Sequence, residues 1–230
     1  MTPEVLIIES PGLDDFMTND RVGPPLQQQL MLTRVVANLM VATRRESFRE
    51  LMRGPHVASF PIVHLSLHGD MSGITFTDGK DMDWHQVQLE LHAWAANKIV
   101  AISACESAAF KLDDDLAKWL MSQTKGQYGP PRAVLTMLQK VYMPDATLAW
   151  GLFYRRLYQR LADRQAPSAS SASARDIYES LRKVRAAGLP KICCAFWYEP
   201  YQRFVNITPW KDDEKTSQRI AAMENGEPVL

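Results

Sequence analysis

The chain has 230 residues and 26.1 kDa, 46% apolar and 23% charged, with 26 Lys+Arg against 26 Asp+Glu. Such values exclude a chain that is disordered throughout and suit one large domain. Zero net charge gives none of the basic excess with which proteins grip phosphates, so no direct nucleic-acid partner is expected. No apolar run approaches the roughly 18 residues of a transmembrane helix. Met1-Thr2-Pro3-Glu4 lacks the basic start of a secretory signal. A cytoplasmic domain without membrane contact is expected. Three cysteines, two of them adjacent (Cys193, Cys194), make neither a disulfide framework nor a zinc site, and no metal or other cofactor is expected.

Along the chain, Val5-Leu6-Ile7-Ile8 is a continuous apolar run ending at Ser10-Pro11-Gly12, the pattern of a buried parallel strand. Leu32, Val35, Val36, Leu39 and Met40 recur at helical spacing and predict a helix over about 26–45. Ser47-x-x-Glu50 reads as a capping box for a short helix stopped by Gly54-Pro55. Residues 60–67 form the next strand, and Ile74 to Thr77 before Asp78-Gly79 suggests a hairpin. A helix is expected from Trp84 to Ala96, a strand from Lys98 to Ser103, and a helix over 112–121. A fourth strand covers 133–138, and a long helix follows from Ala146 to Ala162 with Phe153, Leu157 and Leu161 on one face.

Pro167 to Ser173 reads as a mobile connector. A helix over 176–187 and strands over 192–197 and 204–207 complete a domain of residues 1–210, and residues 211–230 are expected as a charged, exposed tail. Strands alternating with helices predict an α/β fold, a three-layer sandwich on a mostly parallel sheet. There is no GxGxxG and no P-loop sequence, so dinucleotide and P-loop chemistry lose their usual support.

Ligands of open parallel sheets sit beyond the carboxyl ends of the strands. Two predicted strand ends carry reactive groups: His68-Gly69-Asp70 and Cys105-Glu106-Ser107. A thiol of pKa about 8.5 is mostly protonated at neutral pH, and a neighbouring imidazole takes its proton. A helix starting after Cys105 would favour the thiolate further. The oxyanion formed on an attacked carbonyl needs donors in place, and the backbone N–H groups of Gly69 and Cys105 are the candidates. Taken singly, a cysteine after a strand reads as a small core residue and a histidine as a packed one. Two such groups at two strand ends favour the catalytic reading. His64 shares the strand face of His68 by the two-residue period and reads as a packed, hydrogen-bonded histidine. Asp113-Asp114-Asp115 reads as a solvated helix start, and Cys193 and Cys194 as core.

His64-Leu65-Ser66-Leu67-His68-Gly69-Asp70 and Ile102-Ser103-Ala104-Cys105-Glu106-Ser107 resemble the His and Cys motifs of CHAT-domain proteases, caspase-like (clan CD) cysteine peptidases related to separases and metacaspases. Tyr142-Met143-Pro144-Asp145-Ala146-Thr147 with Phe153-Tyr154-Arg155-Arg156-Leu157, and Ala195-Phe196-Trp197, extend the resemblance in order over residues 5 to 208. It implies a caspase-like α/β/α fold and a cysteine endopeptidase. In it His68 is general base and later acid, Cys105 is the nucleophile, and Gly69 with Cys105 forms the oxyanion hole. Asp145 matches a family position facing the pocket for the side chain before the scissile bond, and otherwise reads as a helix N-cap. Asp70 stands near the active site and otherwise reads as a turn residue. Metacaspases usually carry Asp before the Cys; Ala104 here favours the CHAT branch.

The resemblance further implies a protein substrate, and a sensor or regulatory protein as partner, in bacterial defence or regulated proteolysis. The alternative is a catalytically idle module of the same fold that binds a partner. A tyrosine-phosphatase reading fails because Lys111 stands where Cys-x5-Arg requires Arg, and a hydrolase order fails because no His follows His92.

Overall fold

The computed structural model describes residues 4–18, 21–107, 129–209 and 213–229. In chain order, β1 (Val5–Ser10) is followed by α1 (Leu13–Thr18), α2 (Gly23–Leu32) and β2 (Ala37–Val41). α3 (Arg45–Arg53) and α4 (Pro55–Ala58) lead to β3 (Ile62–Gly69), and β4 (Gly73–Thr75) with β5 (Asp81–Asp83) forms a hairpin beyond it. α5 (Trp84–Trp94) precedes β6 (Ile99–Ser103) and β7 (Ala133–Met137). Then come α6 (Met143–Asp163), α7 (Ala174–Ala186), β8 (Ile192–Tyr198), β9 (Arg203–Asn206) and α8 (Asp213–Glu224). The helix expected over 112–121 and the Asp113–Asp115 run lie outside the described residues.

One sheet runs in the order β2-β1-β3-β6-β7-β8-β9, and β4 hydrogen-bonds to the end of β3. The five strands from β2 to β7 are parallel; β8 and β9 are antiparallel. The chain winds from β1 outward to β2 and returns past β1 to β3, which creates a switch point at the carboxyl edge between β1 and β3. Helices cover both faces. Val5, Ile7, Ile62, Ile99 and Ala101 pack with α2, α6 and α7. Leu6, Ile8, Val63, Leu65, Val100 and Ile102 pack with α3, α4 and α5. Strand side chains alternate between two apolar layers, so these strands read as unbroken apolar runs. The predicted α/β sandwich with a mostly parallel sheet is the observed architecture.

Four local expectations need correction. The apolar spacing over 26–45 does not make one helix. α2 ends at Leu32, Arg34 takes a left-handed φ of 65°, and the chain re-enters the sheet as β2. Ser47 is the third residue of α3 and not its cap, because the helix begins at Arg45; its hydroxyl donates to the Arg44 carbonyl at 2.8 Å. Within the expected tail, the described residues 213–229 are not an exposed tail: α8 buries Thr216, Ile220 and Met223, and Val229 joins the same core. The Pro167–Ser173 connector is also structured, with a 3-10 turn at Ala169–Ser171 and Ala169 fully buried.

His64 shows how the α6 layer meets the sheet. It is fully buried, its Nδ1 lies 2.9 Å from the Tyr154 hydroxyl, and its ring packs edge-on against Trp150. Burial disfavours the imidazolium and pulls its pKa down to about 3. In the unfolded chain this group protonates below about 6.5, so the unfolded state binds the extra proton and stability falls as pH drops from about 6.5 toward 3. Between pH 6.5 and 5 this one residue removes about 1.7 kcal/mol, the slope rising toward about 1.4 kcal/mol per pH unit as the unfolded imidazole becomes fully protonated. Urea unfolding at both pH values checks it: the native chain loses that much more than His64→Gln.

Candidate functional site

β3 and β6 are adjacent and parallel, and Ser66 is the register partner of Ser103. His68 and Cys105 each follow that pair by two residues. The two-residue period puts His68, still within β3, on the α2/α6 face, and the turn after β6 leaves Cys105 at the carboxyl edge of the neighbouring strand, about 4.8 Å away. Both line one cavity of about 70 Å³ with Glu9, Arg21, Met143 and Ala146. The approach is tight beside them as well. A Cβ on Gly69 would stand 3.0 Å from the Ala104 Cβ and 2.8 Å from the Gly73 carbonyl oxygen. Only glycine allows β3, the β6 end and the hairpin to meet there.

Local interactions fix each group. Ser107 accepts from the Met137 N–H at 2.8 Å and donates to the Ile102 carbonyl at 3.2 Å, tying the Cys105 turn to the ends of β6 and β7. Glu106, directly after the cysteine, takes a left-handed φ of 54°, a conformation costing a side-chain-bearing residue on the order of 1 kcal/mol. Trp150 of α6 donates to the Ser103 hydroxyl at 2.9 Å. The His68 Nε2 is hydrogen-bonded to the Asp15 carboxylate of α1. Glu9, at the end of β1 with its side chain 2% exposed, pairs with Arg21 and accepts from the Gly23 N–H at 2.7 Å.

The other expected residues divide. Gly69 is the last residue of β3, and Cys105 lies in the turn after β6. Asp70 closes the β3–β4 turn: its carboxylate accepts from the Ser72 N–H at 2.6 Å and from the Ser72 hydroxyl, and these bonds hold it below the usual carboxylate range. Asp145 is exposed in the first turn of α6, where Tyr142 occupies the N-cap, so it is not the cap. Asp145 is also outside the lining of the cavity, and the buried carboxylate there belongs to Glu9. Asp15, Glu9 and Arg21 were not read from the sequence. Glu9 looks like a polar terminator of an apolar run, and Asp15 meets His68 across 53 residues.

The cavity is small beside the several hundred Å³ that enclose a whole small molecule. It suits one side chain or reacting group of a ligand lying across the edge. A larger cavity of about 490 Å³ lies beside α7, β8, β9 and α8, but among the described residues no His, Cys, Asp or Glu lines it. Among the described residues no three His, Cys, Asp or Glu side chains gather into a metal-binding group. No described helix is long and apolar enough to cross a membrane. A thiol and an imidazole at one strand edge, with backbone N–H groups beside them, are equipped for nucleophilic attack on a carbonyl.

No family model matches the sequence, and no curated protein matches it. Among solved structures, the chain is similar to the Drosophila initiator caspase Dronc, at 10% identity and a TM-score of 0.44 over 83% of this chain and 78% of that one. So distant a likeness transfers no residue roles.

Two measurements follow from this geometry. Burial pushes the Cys193 thiol up to about 11 and Cys194 higher still, whereas half-buried Cys105 opens onto the cavity. Iodoacetamide at neutral pH therefore labels Cys105 first and spares Cys194 until the chain unfolds, as read by peptide mass spectrometry. Removing Arg21 strands the buried Glu9 carboxylate. Arg21→Ala lowers urea stability by about 2–3 kcal/mol, somewhat below a fully buried pair, and adding Glu9→Gln restores part of it.

Proposed function

We propose that the chain is a cysteine endopeptidase of the caspase-like, CHAT type. The observation that carries this reading is the equal register of His68 and Cys105 beyond the Ser66–Ser103 pair, with both side chains on one cavity. In the proposed reaction the thiol proton passes to His68 and the sulfur attacks the scissile carbonyl carbon. The oxygen of the tetrahedral intermediate takes hydrogen bonds from the Gly69 and Cys105 N–H groups. Collapse breaks the C–N bond, and the imidazolium gives its proton to the leaving amine. Water, deprotonated by His68, then hydrolyses the thioester and frees the thiol.

The substrate is a partner protein whose chain lies across the carboxyl edge of the sheet and inserts one side chain into the cavity. Asp145, beside the lining residues Met143 and Ala146, meets that chain at the rim, and Asp70 borders it from the β3–β4 turn. We place the enzyme in the cytoplasm, under control of a sensor or regulatory protein, in a defence or regulated-proteolysis pathway.

The test is cleavage of a protein encoded beside this one, or of a peptide library, by the native chain and by Cys105→Ala and His68→Ala. Cleavage is lost in Cys105→Ala and falls by at least about 10²-fold in His68→Ala. Cleavage that persists in Cys105→Ala refutes the reading. Tight partner binding with no cleavage by the native chain assigns the fold to recognition alone.

A further inference from the structure

We infer that Asp15 is a positioning residue for His68, a third member of the constellation drawn from the helix after β1; this rests on the dyad reading above. Two independent observations carry it. The Asp15 carboxylate is the hydrogen-bond partner of the His68 Nε2, and both groups are partly exposed at the carboxyl edge. Gly12 closes the same side of the ring: a Cβ on it would stand 2.9 Å from the His68 Nε2, 3.3 Å from the Cδ2 and 3.0 Å from the Asp15 Oδ2. The Nε2–Cδ2 edge is therefore enclosed by the Pro11-Gly12 turn and α1. The ring N–H at Nε2 donates to the carboxylate, which leaves the Nδ1 lone pair as the ring's free base. In neutral imidazole one nitrogen donates and the other accepts, so the partner of one nitrogen decides the role of the other.

The contact joins β1's following segment to β3 across the switch point, at the edge where Cys105 follows β6. In alkylation by iodoacetamide, the thiol proton passes to Nδ1, sulfur forms the new C–S bond and iodide leaves. The rate therefore reports how well Nδ1 is presented. The loop carrying Gly12 is part of the device, since a methyl group there displaces the ring from its carboxylate.

The experiment measures Cys105 alkylation by iodoacetamide and the imidazole N–H proton signal of His68 in ¹⁵N-histidine-labelled full chain. The expected result is alkylation about 10–100-fold slower in Asp15→Ala, the scale of a misplaced catalytic group. Gly12→Ala slows it in the same direction. Asp15→Asn, whose amide oxygen accepts the same N–H, recovers much of the rate. The hydrogen-bonded N–H signal at Nε2 is present in the native chain and in Asp15→Asn and disappears in Asp15→Ala. Alkylation in Asp15→Ala as fast as native or faster overturns the proposal, and faster alkylation makes Asp15 a latch. Should His68→Ala leave the alkylation rate unchanged, the dyad reading fails by itself. The N–H signal then decides the Asp15 contact separately, and its absence from the native chain overturns the proposal.

Discussion

The site depends on one constraint, the in-register parallel pairing of β3 with β6. Side chains in a strand alternate strictly, so a one-residue slip would turn His68 and Cys105 to opposite faces. Burial on both sides of the sheet prevents that slip. Val63, Leu65, Val100 and Ile102 fill the α3/α5 layer, while Ile62, Ile99 and Ala101 fill the α2/α6 layer. Moving β3 by one residue would drive His64 into the apolar α3/α5 layer and away from the Tyr154 hydroxyl, and moving β6 would take Ser103 away from the Trp150 indole. The core thereby enforces the placement of two polar groups that contribute little to it.

Polar groups gather along one face toward the carboxyl edge: Glu9 on β1, His64 and Ser66 on β3, Ser103 on β6. A buried polar atom costs stability unless it has a partner. Here the partners come from the helices over that face and the loops beside it. Tyr154 meets His64, Trp150 meets Ser103, and Arg21 with the Gly23 N–H meets Glu9. α6 is thus a set of aromatic handles as well as an apolar cover, which explains why Trp150 and Tyr154 are fully buried yet bear polar tips.

Much of this was legible in the chain. Strands β1, β3, β6 and β7 announce themselves as short apolar runs, and His68 and Cys105 stand just past two of them. The failures share a physical cause. Leu32, Val35, Val36, Leu39 and Met40 fit a helical stripe, but a local pattern does not report that Arg34 turns left-handed and sends Ala37–Val41 into the sheet. In α8 the charges dominate the composition, whereas Thr216, Ile220 and Met223, spaced by four and three, carry the buried stripe. The Asp15–His68 contact had no sequence signal at all, because a half-buried acidic residue acquires meaning only from the group the fold brings to it.

That division follows from where the information sits. Backbone pairing and the two apolar layers are specified redundantly, by dozens of side chains, so period and composition reveal them. The rim is specified by single contacts, each made once: Asp70 with Ser72, Glu9 with Arg21, Ser107 with Met137. Loops on a rigid sheet can change one such contact without disturbing the layers beneath. A sheet of this kind therefore fixes the backbone at His68 and Cys105, while single rim contacts set how each side chain is presented. The position of Glu9 inside the cavity, with Asp145 outside its lining, is an instance: the buried acid of that lining is set by the β1 end and its arginine, and not by the helix that covers it.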